Sequence, residues 1–390
     1  MTKVRCLVLV ATIGFLSLVL GCSAQSSGGS KTVDLGGSGD SAGSSAAGTT
    51  QAVSGGIGGE TSTGGSAVLP IGGGGGLRPD ECGRTEVNIR RNPINVILVV
   101  DRSTSTIMSD FGSYDTRWDA LRDALMGDNG LVLQYQALVR FGYEGYTGFP
   151  GDTTGLTCPD IDSVPYEINN YDTILPVYDA SRPTDFMSGA IGQTPTGEAL
   201  KIIIDVLEAQ FTATPDVLAG GPFVFILATD GEPDTCADPN NDGSPEATQL
   251  VVQQVTRAKS LGVSTYVLSV GSETSDTHLQ EVANAGIASN GAQFWKADDD
   301  QGLQDAIAAI IGEALSCELE IQQGEIVDPL KACEQGVVML NNVQLPCSPV
   351  DGWQVVDSTH IELTGSACEI LKSSPSVVLE ASFPCGIIIG

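Results

Sequence analysis

Apolar runs separated by segments of helical periodicity occupy the middle of this sequence. Residues 96–100 are all aliphatic and mostly β-branched, and Phe223–Thr229 and Val263–Val270 are segments in which apolar residues predominate. Unbroken apolar runs of this length are typical of strands that are buried on both faces of a parallel sheet. Their alternation with helical patterns predicts an α/β fold with a doubly wound, mostly parallel sheet flanked by helices.

Helix boundaries can also be predicted at several points. Ser244 followed by Pro245 predicts an N-cap and the first residue of a helix, which Gly262 would end. Other predicted elements are a helix near Trp118, helices over residues 198–211, from residue 275 and over residues 300–315, and a strand over residues 292–297. We expect residues 143–191 to be irregular, with tyrosines that either contact a partner or lie buried.

The pattern changes at Cys317. Short segments of alternating apolar and polar residues follow, and Asn341-Asn342 has the composition of a tight hairpin turn. Four further cysteines, Cys333, Cys347, Cys368 and Cys385, follow in the final sixty residues. The pattern predicts a small, disulfide-rich β module over residues 317–390, after an α/β domain over residues 86–316.

The N-terminus has the features of an export signal. A short basic region precedes an apolar segment that ends at Gly21-Cys22. This resembles the lipobox of bacterial lipoproteins, which implies that residues 1–21 are removed and that Cys22 carries lipid at the outer membrane or cell surface. The alternative is an ordinary signal peptide with a chance cysteine. Residues 22–85 are rich in Gly and Ser and predict a disordered tether.

Cysteine content and charge exclude several functions. Of ten cysteines, setting aside Cys6 in the signal and Cys22 leaves eight, an even number that an oxidising compartment would pair. The net charge of −30 disfavours nucleic acid and anionic membrane surfaces as partners. The two histidines, His278 and His360, leave little for a zinc site or a Ser-His-Asp triad.

Polar residues occur where the predicted strands end. Asp101 ends the first apolar run and is followed by Ser103 and Ser105, Asp230 ends the second run, and Thr194 lies just before a helix. Because ligands of open α/β sheets bind at the carboxyl ends of the strands, we expect these side chains to lie together. Their oxygens suit a hard divalent cation. Taken singly, each could instead be a helix cap, a loop hydroxyl or a turn residue.

The order and context of these positions resemble the metal-ion-dependent adhesion site of von Willebrand factor A domains, over about residues 89–316. The resemblance implies that the two serines bind the ion directly, that the threonine binds it directly or through water, and that the two aspartates act mostly through water. Hydroxyl ligands leave the charge of the ion poorly compensated, so an acidic group of a protein partner would complete its coordination. Mg²⁺ is the favoured ion, with Mn²⁺ and Ca²⁺ as alternatives.

Two disulfides are predicted among the many pairings that eight cysteines allow. Cys158 and Cys236 both fall in loops at the predicted metal-bearing edge, where a bridge would brace the rim. Cys82 and Cys317 lie at the two ends of the predicted α/β domain, which makes them a second candidate pair.

A second cation site is a weaker alternative to a turn. Asp238, Asn240 and Asp242 match the first half of an EF-hand loop, but position twelve is Gln249 where the loop needs a bidentate glutamate. We favour an Asx-rich turn over a calcium site here. Glu232, beside the predicted cluster, is expected to be solvated and not to bind the ion.

Three functions are compatible with these features. The favoured one is a surface-anchored lipoprotein that captures the carboxylate of a protein partner through its metal ion. The second is an envelope scaffold in which the ion is only structural. The third, metal-assisted hydrolysis, lacks a general base near the site and a Gly-x-Ser-x-Gly motif, so we do not expect an enzyme.

Overall fold

The computed structural model of the protein describes residues 83–148, 158–183, 192–374 and 376–389. The predicted signal, Cys22 and almost all of the predicted tether lie outside these residues. In chain order, the strands are β1 (Arg84–Val87), β2 (Ile89–Arg91), β3 (Ile94–Asp101), β4 (Val139–Thr147), β5 (Asp160–Glu167), β6 (Phe223–Thr229), β7 (Val263–Val270), β8 (Trp295–Ala297), β9 (Glu318–Ile321), β10 (Glu325–Ile326), β11 (Val337–Leu340), β12 (Val343–Leu345), β13 (Gly352–Val355), β14 (His360–Thr364), β15 (Leu379–Pro384) and β16 (Ile388–Ile389).

The helices follow the same numbering: α1 (Arg117–Met126), α2 (Leu131–Tyr135), α3 (Tyr171–Ala180), α4 (Thr196–Ala213), α5 (Pro245–Ser260), α6 (Asp276–Ile287), α7 (Asp300–Ala314), α8 (Pro329–Gln335) and α9 (Ser366–Ser373). The Ser244 side chain caps α5 and Pro245 is its first residue, as predicted. Within the described part of the chain, no helix is both long enough and apolar enough to cross a membrane.

The α/β domain is built on a six-stranded sheet with the strand order β5-β4-β3-β6-β7-β8. β3 pairs in parallel with β4 and β6, and β7 pairs in parallel with β6 and β8. The edge strand β5 runs antiparallel to β4. All eight residues of β3 are buried, as expected for a central strand. The predicted α/β class with a mostly parallel sheet is confirmed.

Helices cover both faces of this sheet. Val96, Leu98 and Val100 share one core with residues of α1, α3 and α7. Ile97 and Val99 share a second core, on the opposite face, with residues of α4, α5 and α6. Because both faces are covered, β3 must be apolar at consecutive positions, which explains the unbroken run in the sequence. β3 and β6 are parallel neighbours, so their carboxyl ends emerge together at one edge.

The prediction of an irregular segment over residues 143–191 is wrong for the part that the structure describes. This part contains the end of β4, all of β5 and α3. Pro165 lies in β5, where an edge strand tolerates it, and Pro176 lies inside α3, so both prolines obscure the pattern of their element. Three of the tyrosines in this segment have 0% exposed surface and are core residues: Tyr143, Tyr146 and Tyr178. These three pack in the core and do not face a partner.

The C-terminal module contains two four-stranded antiparallel sheets, with the orders β1-β15-β11-β12 and β13-β14-β9-β2. They share a core in which Trp353 and Phe383 make an edge-to-face contact, with ring centroids 6.0 Å apart. The predicted β-rich character is confirmed. Each sheet includes one strand from before the α/β domain, β1 or β2, so the predicted domain start at residue 86 lies within β1.

Three disulfides join cysteines among the described residues. Cys158 and Cys236 are bonded, with Cα atoms 5.6 Å apart. The predicted pair Cys82–Cys317 is wrong, because Cys317 is bonded to Cys368 on α9. Cys317 directly precedes β9 and is buried in the core of the module, so it faces α9 and not the start of the α/β domain. The third pair is Cys333–Cys347; Cys385 is also disulfide-bonded, and Cys82 lies outside the described residues.

The hairpin between β11 and β12 is closed by Asn341 and Asn342, as predicted. Their φ angles are 51° and 64°, and Leu340 pairs with Val343, which defines a two-residue turn. Replacing Asn342 with glycine should raise the free energy of unfolding by about 0.5–1 kcal/mol, because glycine adopts positive φ without a Cβ penalty. Urea denaturation would measure the change, with Gln344→Gly inside β12 as a control that should be destabilising. An Asn342→Gly variant less stable than the original chain would contradict this prediction.

Candidate metal centre

Asp101 is the last residue of β3 and is 1% exposed. Its Oδ1 accepts a hydrogen bond from the Ser103 backbone N–H at 2.8 Å, and its Oδ2 accepts one from the Thr229 hydroxyl at 2.8 Å. Thr229 is the last residue of β6. The backbone just after β3 and the last residue of β6 therefore each donate to one oxygen of the carboxylate, and these two hydrogen bonds fix its orientation.

The hydroxyls of Ser103 and Ser105 form a hydrogen-bonded chain that ends at the Asp230 carboxylate. The Ser105 hydroxyl donates to Asp230 Oδ1 at 2.7 Å, and the two serine hydroxyl oxygens lie 2.8 Å apart. Because each hydroxyl has one hydrogen, Ser103 must donate to Ser105 in this arrangement. Four of the five predicted site residues thus form one cluster at the carboxyl ends of β3 and β6.

Thr194, the fifth predicted residue, lies on the loop before α4 and is 8% exposed. Its backbone N–H donates to Asp234 Oδ2 at 2.8 Å, and its carbonyl accepts from the Asp234 N–H at 3.0 Å. Two bonds between Thr104 and Gly192 tie the same loop to the serine segment: the Gly192 N–H donates to the Thr104 hydroxyl and the Thr104 N–H donates to the Gly192 carbonyl. These contacts place the threonine loop beside the serines.

Burial makes this cluster electrostatically costly without a cation. Burial raises the pKa of Asp101 above its usual range, and the adjacent Asp230 carboxylate raises it further, although Ser103 and Thr229 donate to it. Burial also raises the pKa of Asp230, against the opposing effect of Ser105 and Arg117. A divalent cation would relieve the repulsion between the two carboxylates.

The residues present fit a hard cation. The cluster offers hydroxyl and carboxylate oxygens, which Mg²⁺, Mn²⁺ and Ca²⁺ prefer as ligands, and among the described residues no histidine or thiol contacts it. In the geometry described, the hydroxyls satisfy one another through hydrogen bonds. The same hydroxyls and carboxylates are the groups that would hold the ion, which would supply positive charge beside the two buried aspartates.

The neighbouring residues that the sequence singled out have other contacts. Glu232 Oε1 accepts from the Ser275 backbone N–H, at the residue that caps α6, and this glutamate is half-buried. Asp238, Asn240 and Asp242 are exposed in the turn before α5. The Asn241 side chain donates to Asp238 Oδ2 there, and the calcium site stays a prediction.

A different group of potential metal ligands lies in the C-terminal module. Among the described residues, ligand atoms of Glu318, Asp357 and His360 come within 4.8 Å of one another. His360 Nδ1 lies 3.0 Å from Asp357 Oδ1 and 3.9 Å from Glu318 Oε1. The histidine and aspartate already satisfy each other by a hydrogen bond on a partly exposed surface, so the grouping needs no ion to explain it.

Sequence reasoning missed two residues that contact the site. Arg117 donates to Asp230 Oδ2 at 3.0 Å, and Asp234 holds the backbone of Thr194. Asp234 lies four residues after Asp230, and its position in the same loop was the available signal. Nothing in the local sequence marks Arg117, since it reaches Asp230 only through the packing of α1 against the sheet.

Comparisons with known proteins find similar solved structures, but with low sequence identity and low TM-scores. No family model and no curated protein matches the chain. Among solved structures, the chain is 15% identical to manganese-loaded TRAP protein from Plasmodium vivax, over 57% of this chain and 75% of that one, with a TM-score of 0.38. The chain is 14% identical to the pilus adhesin SpaC from Lactobacillus rhamnosus GG, over 75% of this chain and 39% of that one, with a TM-score of 0.40. The chain is 16% identical to proximal thread matrix protein 1 from the mussel byssus, a structure with a zinc-occupied MIDAS motif, over 57% of this chain and 47% of that one, with a TM-score of 0.34. At these identities and TM-scores, the similarities do not establish a function.

Proposed function

We propose that the α/β domain binds a divalent cation and captures an acidic group of a protein partner through that ion. The ligands would be the hydroxyls of Ser103, Ser105 and Thr194, with Asp101 and Asp230 orienting them and binding mostly through water. Mg²⁺ is the proposed ion. The cation would supply the positive charge, and the protein would supply an arrangement of oxygens at the carboxyl ends of β3 and β6.

The observation that carries this proposal is the hydrogen-bonded sequence Ser103, Ser105, Asp230 next to the buried Asp101. Two neutral hydroxyls among the inner ligands leave a cation with more uncompensated charge than carboxylates would. An acidic partner group is then an attractive additional ligand, because oxygen ligands and negative charge both favour it. The site is therefore better suited to recognition than to tight storage of metal.

Export to an oxidising compartment fits the disulfides of the described residues, Cys158–Cys236, Cys317–Cys368 and Cys333–Cys347. We propose that Cys22 carries a lipid anchor and that residues 22–85 form a tether between membrane and domain. Such a tether would present the metal centre away from the membrane surface, where a protein partner could reach it.

A non-enzymatic role is proposed in which the carboxylates of the centre orient the ligands of the ion, and in the described part of the chain no histidine hydrogen-bonds these carboxylates. His278 lies on α6, where its backbone N–H bonds the cap residue Ser275. His360 lies in the C-terminal module and bonds Asp357. Neither histidine hydrogen-bonds a proposed ligand in the described residues, so acid–base chemistry at the ion would lack its usual side chain.

The test measures ion binding and partner capture with the same protein. The purified full-length chain, immobilised on beads, would be exposed to envelope and extracellular proteins in Mg²⁺ or in EDTA. Asp230→Ala should lose Mg²⁺ binding by calorimetry and should lose capture. Asp179→Asn, an exposed acid on α3 paired with Arg122, should behave as the original chain.

Two outcomes would redirect the proposal. Equal capture in Mg²⁺, in EDTA and by a folded Asp230→Ala variant would rule out adhesion through the metal. Mg²⁺ that raises thermal stability while capture does not depend on it would favour the alternative function, a scaffold in which the ion is structural. Neither outcome would be confused with misfolding, because circular dichroism of the Asp230→Ala variant reports its fold.

A further inference from the structure

Arg117 is a buried cation directly behind the proposed metal centre. It is the first residue of α1 and is 7% exposed. Its Nη1 donates to Asp230 Oδ2 at 3.0 Å, while its Nη2 donates to Glu273. Asp230 is thus shared between two donors, with Ser105 on Oδ1 and Arg117 on Oδ2. The guanidinium therefore contacts Oδ2 of Asp230, the carboxylate oxygen that does not accept from Ser105, and Asp230 is one of the residues that would orient the proposed ligands.

The surrounding sequence holds Arg117 in this position. Thr116 caps α1 by accepting from the Asp119 N–H, and Trp118 packs against Tyr178 with ring centroids 4.6 Å apart. Gly271 lies against the guanidinium with φ of 102°, and a Cβ at that glycine would come within 2.8 Å of Arg117 Nε. A side chain there would displace the arginine, so the space beside Gly271 is fitted to it.

The charge of Arg117 acts on metal and partner in opposite directions. A full positive charge in a buried position is poorly screened by solvent, so it repels a cation bound near Asp230. The same charge neutralises the Asp230 carboxylate, which leaves more of the ion's charge available to an anionic ligand. Glu273 offsets part of this effect, because it is also paired with Arg117, and its side chain is 52% exposed.

We propose that Arg117 sets the balance between metal affinity and carboxylate affinity at this site: it positions Asp230 and, by neutralising it, weakens ion binding while strengthening capture of an acidic ligand. This inference rests on the proposed function. Arg117 acts through Asp230, as a positioning residue, and does not itself contact the ion or the ligand. A purely structural arginine would stabilise α1 without moving the two affinities in opposite directions.

The experiment uses Mn²⁺ alone as the metal probe and acetate as the carboxylate probe, with the full-length protein. The electron paramagnetic resonance signal of free Mn²⁺ gives the metal affinity. Acetate that displaces water from bound Mn²⁺ lowers the relaxation rate of the water protons. A titration of this rate with acetate gives the carboxylate affinity. The variants are Arg117→Gln, which removes the charge, Arg117→Lys, which keeps it, and Arg122→Gln. Arg122 is a matched control on the same helix that pairs with Asp179 away from the site.

The expected result has opposite signs for the two probes. Arg117→Gln should bind Mn²⁺ about tenfold more tightly and acetate about tenfold more weakly, because a poorly screened unit charge has been removed. Arg117→Lys should shift both affinities less than Arg117→Gln does, since the charge is retained although an ammonium lacks the two-pronged geometry that pairs Arg117 with both Asp230 and Glu273. Arg122→Gln should change neither. Unchanged or weaker Mn²⁺ binding by folded Arg117→Gln, or unchanged acetate binding, would overturn the proposal.

Glu273→Gln keeps the proposal testable if Arg117→Gln does not fold. Removing Glu273 leaves the whole charge of Arg117 directed at Asp230, so Mn²⁺ should bind more weakly and acetate more tightly. The inference would be overturned if the Mn²⁺ affinity and the acetate affinity of Glu273→Gln did not change in opposite directions. Failure of the proposed function looks different: the original chain, Arg117→Gln and Glu273→Gln would then all fail to bind Mn²⁺. Mn²⁺ binding by the original chain with an identical Arg117→Gln variant would reject the role of Arg117 alone.

Discussion

Replacing Asp101 with asparagine should abolish divalent cation binding and at the same time stabilise the metal-free protein near pH 8. Asp101 is 1% exposed and lies beside Asp230, and burial together with that neighbour raises its pKa to about 7. At pH 8 the metal-free protein must therefore keep a buried carboxylate ionised. Asparagine has nearly the same shape and still accepts a hydrogen bond through Oδ1, but it carries no charge.

The sign of the pH dependence follows from this raised pKa. The folded protein binds the Asp101 proton more tightly than the unfolded chain, whose aspartates titrate near their usual pKa of about 4. The resulting stabilisation is fully present below about pH 4 and is lost as the pH rises through about 7. The loss is on the order of 2–4 kcal/mol by pH 8. In EDTA, Asp101→Asn should lack this dependence and should be the more stable chain at pH 8.

Thermal unfolding in EDTA and in excess Mg²⁺, from pH 4 to 8, would measure both effects. Mg²⁺ should raise the unfolding temperature of the original chain at pH 8 and leave that of Asp101→Asn unchanged. The exposed acid in Asp179→Asn provides a control that should respond to Mg²⁺ as the original chain does. An Asp101→Asn variant that is less stable than the original chain in EDTA at pH 8 would contradict the cost assigned to the buried carboxylate.

Removing the disulfide between Cys158 and Cys236 should give the largest loss of stability among the described cystines. The two cysteines are separated by 78 residues, and cross-linking a loop of that length stabilises a protein by about 4–5 kcal/mol in the chain-entropy model. The bridge also joins the end of the segment before β5 to the loop that carries Asp234. Replacing both cysteines with alanine should therefore lower the free energy of unfolding by about that amount and make the loop that carries Asp234, beside the candidate metal centre, more mobile.

The Cys333–Cys347 pair provides a matched comparison within the same chain. Its cysteines are 14 residues apart, so the same model gives about 3 kcal/mol for its removal. Denaturant unfolding of both double-alanine variants under identical conditions would rank the two bridges. A smaller loss for the Cys158–Cys236 variant than for the Cys333–Cys347 variant would contradict the loop-length explanation.

The strands of the central sheet could be predicted from sequence because parallel strands covered on both faces are apolar at most positions. The predicted runs Phe223–Thr229 and Val263–Val270 coincide with β6 and β7. The grouping of Asp101, Ser103, Ser105 and Asp230 followed from the same inference, since parallel neighbouring strands must end at one edge. In these cases, the local pattern and the position in the fold have the same physical cause.

Other features depend on contacts between distant parts of the chain and could not be predicted in this way. β1 and β2 complete sheets with β15 and β9, almost 300 and 230 residues later in the sequence, and no local pattern encodes such pairing. Arg117 reaches Asp230 through the docking of α1. Pro165 and Pro176 hide a strand and a helix, because their elements tolerate them only at an edge or with a lost hydrogen bond.

The pairing of β1 with β15 and of β2 with β9 has a mechanical consequence. Both strands precede β3, and β3 carries Asp101 at its far end. A pull on the Asp101 end of β3 would therefore run along β3 into β2 and β1. Because antiparallel hydrogen bonds are perpendicular to the strands, such tension would shear them together and would not open them one at a time. The strand pairs of the C-terminal module would then resist displacement of β3 along its own axis.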